Sequence, residues 1–182
     1  ISEISGHMIE LVLASLITMI TAATPLVFAA TGELISEKSG VLNLGVEGMM
    51  LIGAVFGFAT ATVSGSAYLG FVGAMFSGML ASLIFAVLTL KFLSNQVATG
   101  LALTIFGTGL SALIGFDYVG KTIERMGPVH IPFLSELPII GKLIFGNDLL
   151  VYLGFGILLC TDLFLKRTRW GMILQAVGDS DK

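Results

Sequence analysis

Charge is what this chain lacks most. From Gly48 to Phe116 a single formally charged side chain, Lys91, interrupts the sequence, and 12% of all residues are Asp, Glu, Lys or Arg. Soluble domains carry about 25%, so the polar surface here is too sparse to be dissolved by water alone. The apolar share is 55% and the mean hydropathy +1.00. Lipid is the solvent these values imply, and a polytopic membrane protein is the class. Cysteine occurs once, at Cys160 inside an apolar run, which excludes an intrachain disulfide and a cysteine-built metal site. The two histidines, His7 and His130, stand apart without carboxylates at ligand spacing, and neither a GxSxG elbow nor a HExxH helix occurs. No basic stripe interleaved with aromatics is present, so nucleic acid is not an expected partner. No metal or cofactor is expected either.

What is present is a series of long uncharged runs. No basic residue precedes the first of them, which reads as a retained span rather than a secretory signal. A start without Met and an end at Asp181-Lys182 read as a fragment of a longer chain. The expected spans are Leu11–Thr31, Leu44–Val63, Ala67–Leu90, Gln96–Phe116 and Leu149–Leu165, each near the length that crosses the hydrocarbon. The fold expected is therefore all-α, a polytopic bundle of about five transmembrane helices, with residues 1–182 forming one transmembrane domain. Pro25 lies inside the first run and predicts a kink. Ser64-Gly65-Ser66 predicts a tight turn, and Ser94 or Asn95 an N-cap for the fourth span.

Five crossings put Lys38, Lys91, Lys166, Arg167, Arg169 and Lys182 on one side and Lys121, Arg125 and Lys142 on the other. The positive-inside rule makes the first side cytoplasmic. The N-terminus and the loop Asp117–Asn147 are then outside. That loop carries Pro128, Pro132 and Pro138, which forbid one continuous helix, and an Ile139–Phe145 patch too short to span. Small residues recur at four-residue spacing: Gly53 with Gly57; Gly70, Ala74 and Gly78; Gly107, Ser111 and Gly115. Such spacing allows close helix packing in lipid.

Few residues can carry chemistry. Gly115 to Thr122 satisfies GxxxxGK[ST], and Asp162 follows an apolar run, yet a phosphate-cradling loop needs a strand before it. Here an uncharged span precedes it, and the topology sets it outside. The charged cluster Glu33, Glu37, Lys38 and Glu47 is flanked by glycines between two apolar runs, and must face water or protein. Glu47 comes four residues after Asn43, so the two share a face if that segment is helical. Glu47 either lines a substrate path or gate, or is a carboxylate stabilised at a helix N-terminus. Asn95 and Gln96 pose the same choice between lining and capping. At the far end, Arg167-Thr168-Arg169-Trp170 anchors a span end, and a short amphipathic segment follows it.

The stretch from Gly32 to Met50, with Asn43-Leu44-Gly45-Val46-Glu47-Gly48-Met49 at its centre, resembles the signature of bacterial ABC-importer permeases. That superfamily serves branched-chain amino acids, ribose-type sugars and nucleosides, and these residues look most like its nucleoside and simple-sugar branch. Asn95 to Ala102 and Thr168-Arg169-Trp170-Gly171 through Ala176-Val177-Gly178 fit as well. The resemblance implies a multi-pass inner-membrane permease subunit, not itself an enzyme, that works by alternating access. Implied partners are a cytoplasmic ABC ATPase, a second permease subunit and an extracytoplasmic substrate-binding lipoprotein. Arg169, Trp170, Gly171, Ala176, Val177, Gly178 and Asp179 would lead into the loop that couples to the ATPase. Family members continue with further spans, so a C-terminal truncation is implied. A branched-chain amino acid permease or a standalone ion-coupled carrier, with Glu47 as its ion site, are the alternatives.

Overall fold

A computed structural model describes residues 2–123, 127 and 147–180. Among them every regular element is helical and no strand occurs. In chain order these are α1 (Ser2–Lys38), α2 (Val46–Ser64), α3 (Ala67–Ala86), α4 (Gln96–Gly115), α5 (Leu149–Arg167) and α6 (Arg169–Ser180). A π-helical turn, Val87–Lys91, extends α3, and a 3-10 turn, Phe116–Tyr118, ends α4. Five stretches are long and apolar enough to cross a bilayer: Glu10–Lys38, Val46–Ser64, Ala67–Lys91, Gln96–Tyr118 and Leu149–Arg167. The expected all-α bundle of about five spans is thus observed. The prolines of the expected outer loop, its Ile139–Phe145 patch, His130, Arg125, Lys142, Asp181 and Lys182 lie outside the described residues, as does the side chain of His7.

The first span departs from expectation at its end. α1 runs on through Pro25 and past Thr31 to Lys38, so Glu33, Glu37 and Lys38 stand on its last turns. Nothing in Glu33–Lys38 breaks a helix. The stop comes at Gly40, where φ is +83°, and the amides of Gly40 and Val41 reach back to Glu37 O and Ser36 O at 3.0 Å each. That is a left-handed C-terminal cap, which glycine adopts without strain. Hydroxyls along the spans turn inward for the same reason that loops are rare in lipid. Ser15, Thr18, Thr21, Thr24 and Thr31 each donate to the carbonyl four residues earlier, at 2.8–3.0 Å.

The chain divides into two compact units, Ile1–Gly32 with Met126–Met172, and Glu33–Arg125 with Ile173–Lys182. In the first, Gly154 of α5 faces Thr24 and Phe28 of α1 at ordinary van der Waals range, and both Thr24 and Val151 are buried. Asp162 pairs with Lys166 one turn on at 2.5 Å, rather than serving any phosphate site. At the α5–α6 joint Thr168 breaks the helix with an extended backbone, and its hydroxyl accepts from the amide of Gly171 at 3.0 Å.

In the second unit α2 is the central helix. Its partner α3 returns antiparallel after Gly65, whose φ of +67° makes the expected tight turn. Helix α2 meets α3 through Gly57, Gly70, Ala61 and Ala74: a Cβ on Gly70 would lie 2.5 Å from Ala61 Cβ and 2.9 Å from Gly57 O. At about 100° per residue, Gly53 and Gly57 stand roughly on the opposite side of α2 from Gly48. Gly48 meets α4, where a Cβ would collide with Leu103 O and lie 2.7 Å from Thr104 Cα. Met49, Ile52, Ala81, Phe85 and Leu103 fill the wedge between the three helices. Beyond α4, Tyr118 meets Phe58 edge to face at 6.2 Å, and the Lys121 ammonium sits 4.6 Å over the Tyr118 ring. The GxxxxGK[ST] match therefore follows a helix, not a strand.

The α2–α3 contact predicts a contrast between glycines. Gly70→Val forces a shift at Ala61 and should cost about 1–3 kcal/mol, lowering the thermal midpoint in detergent. Gly78→Val, with nothing within 4 Å of a new Cβ, should melt close to the parent protein.

Candidate functional site

The loop between α1 and α2, residues Ser39–Gly45, is where this fold gathers its polar and glycine residues. A loop near the membrane must find partners for its backbone groups. Helix α4 supplies several of them. Gln96 Oε1 accepts from the Leu42 amide at 2.7 Å, and Thr104 Oγ1 donates to Leu44 O at 3.1 Å. Asn43 supplies another from within the loop. Its Oδ1 accepts from the Gly45 amide at 3.0 Å, and its Nδ2 points to the Met49 sulfur at 3.7 Å.

Glycine makes the approach possible. A Cβ on Gly100 would lie 2.9 Å from Gly45 N and 3.0 Å from Leu44 N, and one on Gly107 would lie 2.7 Å from Gly48 Cα. Gly45, Gly48, Gly100 and Gly107 are all buried. The backbone of the loop and of α2's first turn therefore lies directly on the backbone of α4. Helix α6 meets the start of the loop: a Cβ on Gly178 would collide with Lys38 O and lie 2.8 Å from Gly40 N. The loop thus touches both α4 and the end of α6.

The residues expected from sequence fall unequally around this loop. Asn43 is buried but precedes α2, which starts at Val46, so it does not share a helix face with Glu47. The expected i,i+4 pair is corrected: Gly45 delays the helix, and the Asn43 amide closes the turn before it instead. Glu47 is exposed in α2's first turn, where the helix dipole favours a carboxylate. Asn95 caps α4, accepting from the Ala98 amide at 3.0 Å. Ser94, the other expected cap, instead donates to Leu88 O at 2.8 Å and pairs with Thr99 Oγ1 at 2.8 Å. Gln96 is brought into the loop clamp. Of the C-terminal set, Gly171 packs its backbone on Phe164 and Leu165, and Gly178 reaches the loop. Arg169, Trp170, Ala176, Val177 and Asp179 are exposed.

Two further features escaped the sequence. Glu33, half-buried, receives the backbone amide of Asn43, while its Oε2 is buried without a partner among the described residues. Gly40, Gly45, Gly48, Gly100 and Thr104 are structural members of the clamp. Part of their signal was available: Gly40, Gly45 and Gly48 lie in the motif stretch Gly32–Met50 and Gly100 in Asn95–Ala102, whereas Thr104 lies outside both. Among the described residues no group of three His, Cys, Asp or Glu side chains forms a metal site.

Residues 15–182 match the family model of the branched-chain amino acid transport system / permease component, and the chain belongs to this family of multi-pass membrane permeases. It is 40% identical over 164 residues to a putative glucose ABC transporter permease protein of Haloferax volcanii, covering 88% of this chain and 50% of that protein. A nucleoside ABC transporter permease protein of Lactococcus lactis is 32% identical, over 89% of this chain and 55% of its own length. A guanosine ABC transporter permease protein of Bacillus subtilis is 31% identical, over 86% and 53%. The chain thus spans about half the length of the curated relatives it matches. No solved structure matches it.

Gln96→Leu removes the acceptor of the Leu42 amide and should release about 1 kcal/mol of protection there. Hydrogen exchange of the peptide containing Leu42 should speed up about fivefold, while Gln96→Glu, which keeps the oxygen, should restore slow exchange.

Proposed function

We propose that this chain is part of a permease subunit of an ATP-driven importer for nucleosides or related simple sugars, acting as a single transmembrane domain in the cell inner membrane. The observation that carries the mechanism is the seat of Gly178 on Lys38–Gly40. Helix α6 follows a basic, Trp-anchored span end, exposes Trp170, Ile173 and Val177, and buries Gly178 against the loop that α4 also holds. A displacement of α6 therefore pushes on Lys38–Gly40, and through Leu42 and Leu44 on Gln96 and Thr104. That linkage gives a rigid route from a cytoplasmic ATPase docked on α6 to the spans. Alternating access by rocking of helices is the motion it serves. ATP hydrolysis belongs to a separate ABC ATPase, and substrate is delivered by an extracytoplasmic binding lipoprotein to this subunit and a second permease subunit.

The substrate class rests on likeness: two of the relatives are named for nucleosides or guanosine and one for glucose. Branched-chain amino acids, from the family description, are the second choice. Glu47, exposed at α2's first turn, is a candidate path or gate group together with Asn43, Asn95 and Gln96.

Reconstituted with its partners in liposomes, the permease should take up labelled nucleoside only with ATP inside the ATPase compartment, and collapse of the proton gradient should leave uptake intact. Uptake that survives without ATP but stops with the gradient would instead identify an ion-coupled carrier. Gly178→Val should lower transport by about tenfold, the order expected of overpacking by 1–3 kcal/mol, with substrate no longer stimulating ATP hydrolysis. Undiminished stimulation would remove the coupling role. Glu47→Gln should slow uptake in an assembled complex; normal uptake would leave Glu47 a helix-end carboxylate.

A further inference from the structure

Thr168 is the one residue between α5 and α6, and it ends the first helix while starting the second. Its backbone is extended, with φ −100° and ψ 147°. Its hydroxyl donates to Phe164 O at 2.6 Å, one turn back in α5. The same oxygen accepts from the amide of Gly171, the third residue of α6, at 3.0 Å. A hydroxyl has one proton to give and lone pairs to receive, and here both capacities are used. Phe164 O also takes the Thr168 amide at 3.2 Å, and Thr168 O takes the Met172 amide at 3.1 Å. This joint lies wholly within the first unit.

The start of α6 has little else to hold it. The helix has twelve residues, two of them glycine, and helices so short and so composed are marginal on their own. Its first turn contains no acid and opens on Arg169, a charge that the helix dipole disfavours there. The Thr168 oxygen is its N-cap. Gly171 then seats the turn: a Cβ there would collide with Phe164 O and lie 2.8 Å from Leu165 Cα, and both Gly171 and Leu165 are buried. The first turn of α6 therefore lies on the last turns of α5, with no slack residue between the helices.

We propose that Thr168 is a positioning residue of the import cycle: its hydroxyl fixes the first turn of α6 to the end of α5, so that a push on α6 turns the span instead of bending the joint. The role rests on the reading of this chain as a permease driven through α6. Trp170, Ile173 and Val177, all exposed, are where such a push would arrive.

The test uses the full-length permease assembled with its partners in liposomes. Thr168→Val keeps the shape and removes the hydroxyl, whereas Thr168→Ser keeps the hydroxyl. Hydrogen exchange at the Gly171 amide should quicken about fivefold in Thr168→Val, the size of one lost N-cap, and return to the parent rate in Thr168→Ser. With ATP hydrolysis and the KM for nucleoside unchanged, the turnover of uptake should fall about fivefold in Thr168→Val, so that more ATP is spent per molecule moved. Thr168→Ser should restore that ratio. Thr18→Val, which removes a hydroxyl bonded only within α1, should match the parent throughout. If Thr168→Val does not assemble, Thr168→Cys, whose thiol donates and accepts weakly, should change both readouts in the same direction. Unchanged exchange at Gly171 would overturn the proposal. So would faster exchange with the parent's ratio of ATP to nucleoside, since the hydroxyl would then only cap a helix. A parent protein without ATP-dependent uptake would instead sink the importer reading, and this role with it.

Discussion

Helices dissolved in a bilayer gain nothing from the hydrophobic effect by touching one another, since lipid is as apolar as leucine. Association has to come from backbone brought within van der Waals contact of backbone. In this chain that contact is made at glycines on two faces of α2. Gly48 puts the first turn of α2 on Gly107 and Leu103 of α4, and Gly57 puts the last turns on Gly70 and Ala74 of α3. Everything else in the second unit follows from α2 being pinned on both sides: the small core at Met49, Ile52 and Phe85, and the divergence of α3 from α4.

The second constraint is hydrogen bonding. A chain that leaves a helix beside the membrane exposes amides and carbonyls that lipid cannot satisfy. The α1–α2 loop meets this with side chains from outside itself, Gln96 and Thr104, and with the Asn43 carboxamide from within. The Leu42 amide and the Leu44 carbonyl are tied to α4, and the backbone of Lys38–Gly40 bears that of Gly178.

The spans were legible because lipid imposes length and composition on a sequence, and nothing in α2, α4 or α5 contradicts that demand. Gly65 was legible as a turn and Asn95 as a cap, since both act through their own backbone neighbourhood. Features that depend on a partner were not. Glu33 and Glu37 looked like the contents of a loop because charge is rare here, yet their helical propensity is good and α1 simply continues until Gly40. Asn43 and Glu47 looked like a helical pair because their spacing is right, and only the turn at Gly45 separates them. The π-turn at Val87–Lys91 leaves no mark on a run that is apolar at every position. Gly48 and Gly107 read as ordinary small residues until the faces that meet are known.

The account is tested most directly by a double-mutant cycle at Gly48 and Gly107, each changed to Ala singly and together, with unfolding free energies measured in lipid nanodiscs. Two methyl groups contesting the same gap should interact, giving a coupling energy above about 0.5 kcal/mol of either sign. Losses that add within about 0.3 kcal/mol would mean that the two backbones do not meet, and that α2 is not seated on α4 as described.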